Sequence, residues 1–124
     1  EIIGLGAAVA YVNSLNREAL NLEEQSLIKL TLDALSGIPR IELIGEPAER
    51  LSVISFNIEG AHPHDVGQLL DQQGVAVRTG HHCTMPLMSR LNIPGTVRAS
   101  FSFYSNQEDS RRLIEAVEKA TDLL

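Results

Sequence analysis

The sequence predicts an α/β sandwich, an α+β arrangement in which helices cover one side of a small sheet, with elements in the order ααββαββα. Three observations predict it. Apolar residues recur at helical spacing near both ends of the chain. Runs rich in β-branched residues stand between them, and glycine or proline punctuates the joins. The 124 residues suit a single domain, 1–124, long enough to bury a core without staples.

Residues 2–15 read as a helix, with Ile2, Leu5, Val9 and Val12 at helical spacing and alanines between them. A break is expected from Asn16 to Asn21, after which Asn21 and Glu24 offer a capping box. Leu27, Leu30, Ala34 and Leu35 give the second helix its apolar side until Gly37 and Pro39 stop it. Residues 41–44 and 52–58 read as strands. His62-Pro63 opens a third helix, since proline is accepted at the first helical position, and Gly74 ends it. Val75 to Arg78 reads as a third strand, and residues 79–96 as a long loop of the kind that often carries function. Residues 97–103 form a fourth strand, with Val97, Ala99, Phe101 and Phe103 on one face and Arg98, Ser100 and Ser102 on the other. Ser105 and Glu108 read as a capping box for a last helix with Leu113, Val117, Ala120 and Leu124 as its stripe.

Composition narrows the function. Ten basic and sixteen acidic residues give a net charge of −6, which speaks against a nucleic-acid surface. No apolar run is long enough to span a bilayer, so no membrane role is expected. One cysteine forms no internal disulfide, which favours a reducing, cytoplasmic setting. The chain opens at Glu1 directly into the apolar run Ile2 to Ala10 and reads as a fragment of a larger protein.

The chemistry gathers in Arg78-Thr79-Gly80-His81-His82-Cys83-Thr84-Met85-Pro86. A thiol among basic groups is the arrangement that raises its thiolate fraction, which makes Cys83 a candidate nucleophile. The plainer alternative is a buried cysteine acting as a small hydrophobe. His81 and His82 are candidate acid–base groups, or ligands of a metal shared with Cys83 and with His62 or His64. Adjacent ligands fit one ion poorly, so no metal site is expected. His62 and His64 flank a helix start and read as capping groups. Arg98 lies in an apolar strand and needs a partner. That partner is either a carboxylate of this domain or a substrate carboxylate held bidentately.

The run from Arg78 to Met88 resembles the active-site loop of PLP-dependent cysteine desulfurases of the SufS and CsdA type, which are close to selenocysteine lyases. The resemblance extends to Ile3 through Ala8, Asp65-Val66-Gly67, Gly74 through Arg78, Val97 through Phe101 and Phe103-Tyr104, and so to nearly the whole chain. It implies the C-terminal small domain of a fold-type I PLP enzyme. The Schiff-base lysine and the residues holding pyridoxal 5'-phosphate would lie in an absent large domain, leaving no cofactor-binding residue here. Lys29 and Lys119, the two lysines, match no such motif.

The resemblance further implies that Cys83 takes sulfur from L-cysteine, giving L-alanine and a persulfide that passes to an acceptor protein of the SufE or SufU type for iron–sulfur cluster assembly. It makes Arg98 the grip on the substrate carboxylate, and Arg78, His82 and His81 loop-shaping or thiol-tuning residues. It also implies a homodimeric parent, and a fragment inactive alone. Thr84 departs from the alanine common at this place. Two alternatives stand beside this reading. One is a lyase for L-selenocysteine, and the other is a non-catalytic metal-binding or partner-docking module.

Overall fold

The computed structural model describes residues 1–124. The chain begins with α1 (Ile2–Ser14), which contributes no buried residue. α2 (Arg17–Ser36) follows at once, capped by Asn16, whose side chain accepts a hydrogen bond from the Ala19 N–H at 3.2 Å. The expected break up to Asn21 is therefore absent. Arg17, Glu18, Ala19 and Leu20 are good helix formers, and the earlier asparagine wins the cap.

β1 (Ile41–Leu43) and β2 (Val53–Ile58) come next, then α3 (Pro63–Gln72), β3 (Arg78–Gly80), α4 (Met85–Leu91), β4 (Thr96–Ser100) and α5 (Gln107–Leu123). The strands form one antiparallel sheet in the order β1-β2-β4-β3. The predicted α/β sandwich stands, with one helix more than the expected order. α4 lies within the stretch read as loop, and Pro86 sits in its first turn, where a missing N–H costs nothing.

Alternation along the strands divides the sheet into two faces. Ile54, Phe56 and Ile58 of β2 and Val97 and Ala99 of β4 point to the helix side and are buried. There they join Ile28 and Leu35 of α2, Val66 and Leu70 of α3, and Leu113, Ala116, Val117 and Ala120 of α5 in one core. α2 and α3 lie on the sheet, and α5 packs against both. α3 approaches β3 closely at Gly67, where a Cβ would collide with the Thr79 side chain.

Several boundaries move. β4 stops at Ser100, not at Phe103, and Phe103, expected on its buried face, is exposed. Val75 and Val77 pack against the core without ladder pairing, so β3 begins three residues later than expected, at Arg78. The cap of α5 is Asn106 with Asp109, because the Ser105 hydroxyl is already taken by the Ser102 N–H at 3.1 Å. Leu124, expected on the α5 stripe, is exposed. No helix is long and apolar enough to cross a membrane.

Candidate active site

The side of the sheet away from the helices is polar. Register places Arg78 directly opposite Arg98, Gly80 opposite Thr96, and Ser55 of β2 beside Arg98. Two arginines facing each other across a strand pair repel. The chain offers them no carboxylate, since its ion pairs all lie on α5, between Arg111 or Arg112 and Glu108 or Glu115. Arg98 is half-buried, and its Nε is buried with no hydrogen-bond partner. An unmet guanidinium donor at this depth is costly unless something supplies an acceptor.

Beyond β3 the chain turns sharply over the edge of this face. His82 and Cys83 both adopt left-handed backbone, with φ of 53° and 62°. Such residues cost about 1–2 kcal/mol each when they carry a side chain, so the turn must be held. Three contacts hold it. The His82 Nε2–H donates to the Thr96 carbonyl at 3.2 Å and lies 2.9 Å from the Thr96 hydroxyl. The Cys83 N–H donates to His81 Nδ1 at 3.1 Å. The Thr84 hydroxyl and N–H both donate to the His81 carbonyl, at 2.7 and 2.8 Å. The strands beneath are drawn together at Gly95, where a Cβ would stand 2.8 Å from the Gly80 carbonyl carbon.

Cys83 is exposed on this turn, so the buried-hydrophobe alternative does not apply. The His82 ring is partly buried, which is the largest cause holding its pKa below the usual histidine value. Its hydrogen bond to Thr96 opposes that shift, and repulsion from Arg98, Arg78 and His81 adds to it. With Nε2 carrying the proton toward Thr96, Nδ1 is an acceptor, buried and unpartnered.

The sequence candidates separate cleanly. His81, His82, Cys83, Arg78 and Arg98 come together around one edge of the polar face. His62 and His64 do not join them. His62 Nδ1 accepts the His64 N–H at the start of α3, and His64 Nδ1 lies 3.3 Å from the Thr79 hydroxyl. No three His, Cys, Asp or Glu side chains converge to hold a metal ion. Lys29 and Lys119 are exposed on α2 and α5, which pack on the helix side.

The chain matches the Aminotransferase class-V family over residues 1–113. The chain belongs to that family. It is 47% identical over 123 residues to a cysteine desulfurase of Serratia proteamaculans and 46% identical to one of Klebsiella pneumoniae, in each case across 99% of this chain and 30% of the relative. Among solved structures, the cysteine desulfurase CsdA (S-sulfonic acid) from Escherichia coli superposes with a TM-score of 0.91 at 33% identity, over 99% of this chain and 30% of that one. The apo cysteine desulfurase from Thermococcus onnurineus NA1 gives a TM-score of 0.91 at 35% identity, over 98% of this chain and 31% of that one. The chain thus spans about 30% of the length of the curated relatives it matches.

In this class-V chain the sequence reading missed Thr96, which anchors His82, and Asn57. The Asn57 Nδ2 donates to the Gly95 carbonyl at 3.0 Å, while its Oδ1 is buried and unpartnered. Pro94-Gly95 was the available signal, because a glycine entering a strand marks a close approach of another backbone. Nothing in sequence spacing marks Asn57.

Proposed function

We propose that this chain is the C-terminal small domain of a PLP-dependent cysteine desulfurase and carries the sulfur-accepting residue, Cys83. The observation that carries the reading is an exposed thiol held on a strained turn beside an arginine that finds no partner within the chain. Close kinship to proteins named cysteine desulfurase supports it. α1 supports the placement in a larger protein, because Ile2, Ile3 and Leu5 are well exposed. Apolar surface of that extent marks a face made for contact.

Arg98 offers two parallel N–H donors suited to a carboxylate, and the opposing Arg78 makes the face more attractive to an anion. Binding there orients the amino acid with its side chain toward the turn. No lysine of this chain reaches the polar face, so the cofactor is assigned to the rest of the longer protein. Bound pyridoxal 5'-phosphate supplies an electron sink that weakens bonds next to the amino acid's α-carbon. Cys83 Sγ, as thiolate, forms a bond to the substrate sulfur. The substrate C–S bond breaks, its electron pair stays on carbon, and a proton there completes the methyl group of L-alanine. Cys83 is left as a persulfide, and its exposure suits delivery to an acceptor protein of the SufE or SufU type, for iron–sulfur cluster assembly. The reading includes a homodimeric, cytoplasmic parent.

The test is Cys83→Ser in the parent enzyme, with sulfur transfer to an acceptor thiol as readout. Transfer should disappear while the yellow cofactor spectrum remains. Transfer that survives the substitution overturns the reading. Turnover of L-selenocysteine that is indifferent to Cys83 would move the assignment to a selenocysteine lyase. The isolated chain should release no sulfide above a cofactor-only control.

A further inference from the structure

The turn that presents Cys83 is braced by ring nitrogens of two neighbouring histidines, His82 Nε2 and His81 Nδ1. Two consecutive left-handed residues, His82 and Cys83, carry the nucleophile out to solvent. The His82 side chain fixes the first of them on Thr96 of β4. The second has only one local brace, the Cys83 N–H on His81 Nδ1 at 3.1 Å. The His81 carbonyl is occupied at the same time by both donors of Thr84, so residue 81 ties together the two sides of the cysteine. The His81 ring is exposed, and Nδ1 must keep its lone pair to accept this bond.

The geometry points to His81 as the positioning residue for the nucleophile. Its Nδ1 fixes the direction in which Cys83 Sγ faces the substrate, by accepting the Cys83 N–H. The inference rests on the reading of Cys83 as the sulfur acceptor and adds a division of labour. His82 anchors the loop to the sheet, and His81 aims the thiol. A misaimed nucleophile loses rate, because near-attack geometry is a large part of such a step. Substrate binding through Arg98 is left untouched.

The two ring nitrogens can be separated by substitution in the full-length parent. Asparagine places its side-chain oxygen near the position of Nδ1, and it accepts the N–H two residues on in a common turn. Glutamine reaches instead toward the position of Nε2. His81→Ala should lower kcat for L-alanine formation roughly five- to tenfold, the factor carried by one net hydrogen bond. It should leave KM for L-cysteine within about twofold, as expected when only the reacting geometry is lost. His81→Asn should restore most of that rate, and His81→Gln should not. The alkylation rate of Cys83 by iodoacetamide should change in His81→Ala and return in His81→Asn, with cofactor absorbance unchanged in all three.

Rescue by Gln instead of Asn would assign the work to Nε2 and overturn the proposal. Failure of both to rescue would make the imidazole itself the requirement and overturn it too. An unaltered kcat in His81→Ala, with Cys83→Ser still inactive, refutes the positioning role and leaves the desulfurase reading intact. Sulfur transfer that survives Cys83→Ser removes both.

Discussion

On the helix side of the sheet, Ile54, Phe56 and Val97 are completely buried. One residue away along the same strands, Ser55 and Arg98 face a side that no helix covers. The helix side meets its needs internally. Of its buried polar members, Thr31 and Ser110 lie 2.7 Å apart and share a hydrogen bond, and the Thr121 hydroxyl donates to the Val117 carbonyl at 2.9 Å. All the buried side-chain atoms left without partners, Asn57 Oδ1, His82 Nδ1 and Arg98 Nε, belong to the polar face or to the turn above it. The unmet donors and acceptors of the chain thus collect on one face of the sheet. Of the four non-glycine residues with left-handed backbone, His82 and Cys83 stand together in the turn above that side, whereas Arg40 and Asn92 stand singly at element ends.

The sharpest way to break the comparison is to truncate each face in turn. Phe56→Ala should cost about 3–5 kcal/mol in urea unfolding, whereas Ser55→Ala, its neighbour on the other face, should fall within about 0.5 kcal/mol. Similar losses would mean that the polar face is part of the core.

Arg98→Ala should behave in the opposite way to Phe56→Ala. Because its Nε has no partner in the chain, thermal stability should hold. In the parent, kcat/KM for L-cysteine should fall by about 2–3 kcal/mol of binding, roughly 30- to 150-fold. A destabilised protein with unchanged kinetics would contradict the assignment.

A smaller effect is expected at the join between the faces. A methyl at Gly95 meets Gly80 backbone rather than a flexible side chain. Gly95→Ala should therefore cost about 1–3 kcal/mol and lower sulfur transfer, because it shifts the strand end from which the turn departs. Calorimetry and activity measured together check this.

The smallest effect is a pH dependence. The His82 pKa is depressed in the folded chain by burial first, so the unfolded chain takes up this proton at higher pH than the folded one does. Stability should fall as pH drops below about 6.5, the ordinary histidine value, and level off below the folded pKa. His82→Gln should remove that part of the acid-side loss, as read from urea midpoints between neutral pH and pH about 5.

Much of this was legible in the residues. Alternation in Ile54, Phe56 and Ile58 and in Val97 and Ala99 is a period of two, which physics ties to one buried face. His62-Pro63 gave a helix start because capping is local chemistry. The misplaced features were those settled by competition or by distance. Asn16 and Asn21 were both able to cap α2, and Ser105 and Asn106 both able to cap α5, and the winner depends on which hydrogen bonds are already spent. α4 is seven residues long and begins with proline, so it carried too little periodicity to separate from a loop. At the site, the run His81-His82-Cys83 was visible at once. The left-handed turn, the Thr96 anchor and the unpaired Arg98 Nε arise only when β3 and β4 meet. Sequence named the groups, and tertiary contact assigned their geometry.

The most direct measurement is the mass of the Cys83 peptide after a single turnover of the parent enzyme with L-cysteine in the absence of an acceptor. One added sulfur atom on Cys83, matched by one L-alanine per active site and removed by a reducing thiol, is the predicted result. L-alanine formed with the Cys83 peptide unmodified would contradict the account.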